Sequence, residues 1–348
     1  MVIVKRRTRV VAIAAAAVLA AALSACAGTA SSSSSSGDTV TLSLVAYSTP
    51  QAAYEKLIAA FQKTPEGKNI KFTQSYGASG DQSRAVAAGL KADIVALSLE
   101  PDITRLVTAK LVDPSWNSDQ YKGMITDSVA VIGVRKGNPK NIRTWDDLLR
   151  PGVQVLTPNP FTSGGAKWNI LGAYGAKSNK GADPATGDTY LQGLFNNVPV
   201  QDSSGRASMQ TFTGGKGDAI ISYENEAIFA QQNGQAVDYT VPDSTILIEN
   251  PIAVTTNSAH PTQAKAFLDY LHTPAAQKIY ADNGYRPVVK GVGGPSFPTP
   301  SQLFTIGDLG GWSKVNKDLF DPTKSVMASI EQKLGVATSA APNPGASK

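Results

Sequence analysis

From residue 40 onward the chain alternates two periodicities. Short β-type apolar runs at 40–46, 70–73, 93–97, 128–134, 153–156 and 218–222 are separated by stretches whose apolar residues recur at helical spacing. In the first such stretch Tyr54, Leu57, Ile58 and Phe61 fall at i, i+3, i+4 and i+7, one stripe of an amphipathic helix. Further helices are expected at 81–90, 101–110, 144–149, 165–176, 207–213 and 224–232. Pro101 stands at a helix start, where its missing N–H costs nothing. Alternation of this kind predicts an α/β protein with parallel sheets covered by helices.

The two ends read differently. Lys5, Arg6, Arg7 and Arg9 precede an apolar stretch at 10–23, followed by Leu23-Ser24-Ala25-Cys26. That is the layout of an export signal over 1–25, and the apolar part falls short of the ~20 residues that a membrane span needs. Small residues before a cysteine resemble the bacterial lipobox, which implies cleavage before Cys26 and a lipid on its thiol. Cys26 is also the only cysteine, so an internal disulfide is excluded. A Ser-rich stretch at 26–38 reads as a tether, and 337–348 as a disordered tail. About 300 residues remain between them, enough for two domains.

Charge narrows the function classes. The leader holds four of the 32 Lys and Arg and none of the 27 Asp and Glu, so without it the formal charge falls from +5 to +1. No basic run interleaved with aromatics remains, and no nucleic-acid partner is expected. The sequence also lacks H-E-x-x-H, paired Cys-x-x-Cys and EF-hand patterns, so no metal or cofactor is expected.

The candidate chemistry lies in the loops. In parallel α/β sheets, ligands sit beyond the carboxyl ends of the strands. Tyr47-Ser48-Thr49-Pro50 follows the first strand, and three Ser/Gly breaks open onto helices: Gly77-Ala78-Ser79-Gly80, Thr162-Ser163-Gly164-Gly165 and Ser203-Ser204-Gly205-Arg206. Read singly, each is a turn or an N-cap. Read together, they form a cradle of free N–H groups and hydroxyls for a compact oxyanion, because glycine lets a ligand approach the backbone at a helix start. Lys167 and Arg206 would raise the local potential. The Tyr223 hydroxyl either donates to the ligand or packs at a lobe surface. A carboxylate in the site would accept a proton-bearing ligand; Asp81, Glu224 and Glu226 are the candidates, or else they complement helix dipoles.

These residues resemble the extracytoplasmic sulfate-binding proteins of ABC transporters. The resemblance is carried by Gly77-Ala78-Ser79-Gly80, Val134-Arg135-Lys136-Gly137-Asn138-Pro139, Trp145-Asp146-Asp147-Leu148, Thr157-Pro158-Asn159-Pro160, Ser163-Gly164-Gly165-Ala166-Lys167-Trp168-Asn169, Glu224-Asn225-Glu226-Ala227 and Tyr285-Arg286-Pro287, in consistent order. It implies a two-lobed periplasmic-binding-protein type II fold, each lobe a helix-flanked, mostly parallel sheet, joined by two crossing hinge strands. Lobe 1 would comprise 39–128 and 252–336, and lobe 2 would comprise 129–251. The implied ligand is sulfate, held by Ser48, Ser79, Ser163, Gly164, Gly165, Gly205 and Tyr223. The implied partners are ABC permease subunits with a cytoplasmic ATPase, serving a monomer anchored to the membrane through Cys26. The chain departs from the family where Ser48 replaces a frequent aspartate, Tyr223 a frequent tryptophan and Asp81 a frequent lysine.

Two other readings compete. The same kind of receptor could take thiosulfate, phosphate or molybdate. A secreted serine hydrolase using Ser79 or Ser163 has less behind it, since neither serine lies in a G-x-S-x-G elbow and the only histidines are His260 and His272. A bulky residue at Gly164 is expected to block the ligand's approach.

Overall fold

The computed structural model describes residues 39–338, which form one compact unit. The expected leader at 1–25, the lipid anchor at Cys26 and the tether at 26–38 lie outside the described residues. Ala337, the expected first residue of the tail, is held in place by a hydrogen bond from Asn159 Nδ2 to its carbonyl at 3.1 Å.

In chain order the elements begin β1 (Val40–Tyr47), α1 (Gln51–Phe61), β2 (Ile70–Gly77), α2 (Ser79–Ala87), β3 (Ile94–Ala96), α3 (Glu100–Thr108) and β4 (Met124–Arg135). Then come β5 (Val155–Leu156), α4 (Gly164–Lys177), α5 (Pro184–Asn196), α6 (Gly205–Thr213), β6 (Ala219–Tyr223), α7 (Glu224–Gln232), β7 (Val237–Thr240) and β8 (Ser244–Val254). The chain continues through α8 (Pro261–Leu271), α9 (Pro274–Asp282), β9 (Arg286–Pro287), β10 (Gln302–Phe304), α10 (Gly311–Leu319) and α11 (Val326–Leu334). The helix expected at 144–149 is a short 3-10 turn, Asp146–Leu149.

The strands follow the order β2-β1-β3-β8-β4-β6-β5. β1 pairs in parallel with β2 and β3, and β5 in parallel with β6. The sheet as a whole is mixed, because the long strands β4 and β8 run antiparallel to each other and each also pairs antiparallel with a strand of one half. These two strands connect the halves, and a strand that leaves one lobe must re-enter it with reversed direction. Each lobe therefore keeps a parallel core bordered by an antiparallel crossing strand.

Packing explains the lobes. The apolar stripe of α1 buries Tyr54, Leu57, Ile58 and Phe61 against a core shared with Leu42, Leu44, Phe267 and Tyr280, at roughly 1.5–3 kcal/mol for each large side chain. A second core gathers Trp168, Leu171, Leu191, Phe195 and Ile221. Of the span 252–336 expected in the first lobe, Ile252, Ala264, Phe267, Leu271, Ala276, Tyr280 and Tyr285 do join the first core, and the expectation is corrected only from β10 onward. Phe304, Trp312, Val315, Leu319, Met327 and Ile330 belong to the second core, Trp168 meets Trp312 edge-on at 4.8 Å, and β10 pairs with the start of β8. The apolar faces of α10 and α11 thus pull the end of the chain back onto the second lobe.

Candidate functional site

Three of the helices begin one or two residues earlier than the periodicity predicts, and this defines the site. Ser79, Gly164 and Gly205 are the first helical residues of α2, α4 and α6, so their neighbourhoods hold the amides that have no intrahelical acceptor. Ser163 and Ser204 are the N-caps: each hydroxyl accepts from the amide three residues on, Ala166 and Ala207, at 3.2 Å. Neither serine hydroxyl donates to another protein group, so the proton of each is available to a ligand.

These helix starts converge on one small cavity. Ser48 and Thr49 after β1, Gly77, Ala78 and Ser79 at the start of α2, Ser163 and Gly165 at α4, and Ser204 and Gly205 at α6 all line it. Tyr47, Ser98, Asn169, Ser222, Tyr223 and Glu226 complete the wall. The cavity volume is about 10 Å3, a seat for a compact ligand. Bonds from lobe to lobe surround the seat: Arg206 Nη2 donates to the Thr49 carbonyl at 2.7 Å, and Trp168 Nε1 to the Ser98 carbonyl at 2.7 Å.

Several buried polar atoms on this wall lack any protein partner: Ser98 Oγ, Tyr47 Oη, Tyr223 Oη, Asn169 Oδ1 and Glu226 Oε2. Burying a polar group without a partner costs about 1–3 kcal/mol, so a cluster of them marks a place where a ligand supplies the missing bonds.

The expected residues divide into three groups. Ser48, Ser163, Gly165, Gly205 and Tyr223 line the cavity with donors to spare. Ser79 lines it too, but its hydroxyl is engaged, donating to Asp102 Oδ2 at 2.6 Å and accepting from the Ser98 amide at 2.9 Å. Its amide is the donor left over. Gly164 and Lys167 do not line the cavity. A Cβ on Gly164 would lie 2.1 Å from Ser98 Oγ and 2.8 Å from Leu99 Cδ2, so glycine is needed there for packing, and the expectation that a side chain would block the ligand directly is corrected. The Lys167 ammonium turns to Asn316 Oδ1 at 3.1 Å and sits over the Phe320 ring; burial pulls its pKa down to about 8.

Of the three candidate carboxylates, one reaches the wall. Asp81 pairs with Arg84 on the surface of α2, and Glu224 pairs with Arg286 at 2.8 Å. Glu226 lines the cavity, almost fully buried, with Oε1 held by Arg206 Nη2 at 2.8 Å and Oε2 free. Burial raises its pKa, opposed by the Arg206 charge. Because Arg206 offsets Glu226, an anion here meets helix N-termini, amides and hydroxyls with little net side-chain charge, which is how oriented dipoles hold a desolvated anion. Sequence reasoning missed Ser98 altogether, and it named Tyr47 and Asn169 only as members of longer motifs, with no role of their own. None lies at a helix start, and their roles arise from contacts far along the chain.

Two α/β lobes joined by paired strands, with helix N-termini closing on a seat for one compact solute, define a solute-binding protein of the periplasmic-binding type. The chain belongs to the bacterial extracellular solute-binding protein family, whose model matches residues 42–286. It is 42% identical over 296 residues, covering 82% of this chain and 85% of the relative, to the sulfate-binding protein of Synechococcus elongatus. The thiosulfate-binding protein of Escherichia coli is 36% identical over 269 residues, covering 73% and 79% of the two chains. Among solved structures, the sulfate-binding protein SubI from Mycobacterium tuberculosis H37Rv is 46% identical with a TM-score of 0.79, covering 81% of this chain and all of that one.

Proposed function

We propose that this protein captures sulfate outside the cytoplasm and delivers it to an ABC importer. The observation that carries the reading is the cavity itself: a seat for one compact solute, walled by helix starts and unpartnered hydroxyls, with its one carboxylate offset by an arginine. The names of the relatives agree with it. A fully ionised tetrahedral dianion satisfies many donors at once and asks for none in return. Thiosulfate keeps that property, and the thiosulfate-binding relative makes it the second reading.

On this reading the site binds its ligand without transforming it. Neither histidine lines the cavity; His272 stacks on Tyr121 and its Nε2 lies 3.1 Å from the Met124 carbonyl. The leader at 1–25 would direct export and a lipid on Cys26 would hold the monomer at the membrane beside its permease. Among the described residues no helix is long and apolar enough to span a membrane. The lobes divide within β4 and β8, the flexing strands of the clamp.

Calorimetric titration of the purified protein with sulfate, thiosulfate, phosphate and molybdate tests the reading. Sulfate is expected to bind tightest. Absence of sulfate binding, or molybdate binding tighter than sulfate, refutes it. Cell fractionation with a Cys26→Ser variant tests the anchor: the variant should leave the membrane fraction.

A further inference from the structure

Ser98 lies between β3 and α3, fully buried, and its main chain is fixed from three sides. Its amide donates to Ser79 Oγ at 2.9 Å, while its carbonyl accepts from Trp168 Nε1 at 2.7 Å and Asn250 Nδ2 at 3.0 Å. The hydroxyl, by contrast, has no protein partner and lies on the cavity wall. Gly164 makes room for it, since a Cβ there would come within 2.1 Å of Ser98 Oγ. The Tyr223 hydroxyl is also buried and unpartnered. Burial holds its proton on, and the neighbouring Ser98 and Asn250 side chains act in the opposite sense. Ser98 Oγ and Tyr223 Oη are thus neighbours whose mutual contact falls short of a well-formed hydrogen bond, so a ligand on this wall can engage both.

We propose that Ser98 and Tyr223 converge on the bound oxyanion as a hydroxyl pair, and that this pair governs the choice between fully ionised and protonated tetrahedral oxyanions. The inference rests on the oxyanion reading of the cavity. An amide N–H can only donate, whereas a hydroxyl donates or accepts as the ligand requires. Toward sulfate both hydroxyls donate. Toward monohydrogen phosphate one of them turns to accept the ligand's proton, so this wall admits phosphate where a wall of donors alone would repel it. Glu226 Oε2 is the other free acceptor nearby and serves as the comparison.

The test is calorimetric titration of the wild type and of Ser98→Ala, Tyr223→Phe, Ser163→Ala and Glu226→Gln with sulfate and with inorganic phosphate at neutral pH, folding being checked by circular dichroism. The wild type should bind phosphate measurably at millimolar concentration. Ser98→Ala and Tyr223→Phe should each weaken sulfate roughly tenfold or more, the loss of a hydrogen bond to a charged group, and weaken phosphate further, so that the sulfate-to-phosphate affinity ratio rises. If Ser98→Ala does not fold, Tyr223→Phe carries the same comparison. Sulfate affinity unchanged in both hydroxyl variants while Ser163→Ala weakens it would overturn the hydroxyl pair and leave the oxyanion site standing. No phosphate binding by the wild type, or a ratio that moves only in Glu226→Gln, overturns the selectivity role. Unchanged affinity in Ser163→Ala as well would remove the oxyanion reading itself.

Discussion

Ser163→Ala separates stability from ligand recognition, because one hydroxyl serves both. Its oxygen accepts from the Ala166 amide at 3.2 Å and caps α4, while the residue lines the cavity and its hydroxyl donates to no protein group. Loss of an N-cap costs about 1 kcal/mol, which for a unit of this size lowers the melting temperature by roughly 2 °C. Loss of a hydrogen bond to a charged ligand costs roughly 1.5–3 kcal/mol, or about 10- to 150-fold in affinity. The ligand-free variant should therefore melt slightly below the wild type, and the gap should widen by at least about 1.4 kcal/mol when both are measured in the same excess of sulfate, since a tenfold weaker site is stabilised that much less. Differential scanning calorimetry with and without sulfate, alongside direct titration, reads both quantities. Ser204→Ala has the same geometry at α6 and should behave the same way. A Ser163→Ala protein that melts lower but binds sulfate as tightly as the wild type would show that Ser163 is only a cap, and the reasoning would fail.

Three further outcomes follow from the structure. Gly164→Ala should lose both stability, by about 1–3 kcal/mol of overpacking against Ser98 and Leu99, and affinity, whereas Gly165→Ala, whose Cβ would meet Ser163 Oγ at 3.4 Å and the Tyr223 ring at 3.6 Å, should fold normally and bind sulfate less well; urea unfolding and titration distinguish them. Arg206→Met should destabilise the protein by about 3–5 kcal/mol by leaving Glu226 buried and unpaired, and Arg206→Met with Glu226→Gln should recover part of that in a double-mutant cycle. Burial pushes Glu331 up to about 7, opposed only by the hydrogen bond from Gln201. With the folded pKa above the unfolded one, the folded state holds the extra proton between about pH 4.5 and 7, so stability falls as pH rises through that window. Urea midpoints for Glu331→Gln should fall less steeply there than those of the wild type.

Much of the fold is legible in the chain because helices and strands are specified by near neighbours. The stripe of Tyr54, Leu57, Ile58 and Phe61 is the buried face of α1, and α7 spans Glu224–Gln232 as its periodicity predicts. The Ser/Gly breaks stand at helix starts because N-caps are local chemistry, with Ser163 and Ser204 bonding amides three residues on. The motifs shared with sulfate-binding proteins extend this to a two-lobed architecture. Local pattern could not say which polar groups would be used up. Asp102 takes the Ser79 proton from 23 positions away, and Glu224 and Glu226, two residues apart and equal candidates in sequence, turn respectively to Arg286 and to the cavity beside Arg206. The return of α10 and α11 to the second lobe, and the exposure of the Ser98 hydroxyl to the cavity opposite Gly164, likewise depend on contacts between distant segments. Spacing along the chain determines where amides are left free. Only the tertiary structure decides which of the free groups meet, because a buried hydrogen bond is settled by whichever partner the packed lobes bring within 3 Å.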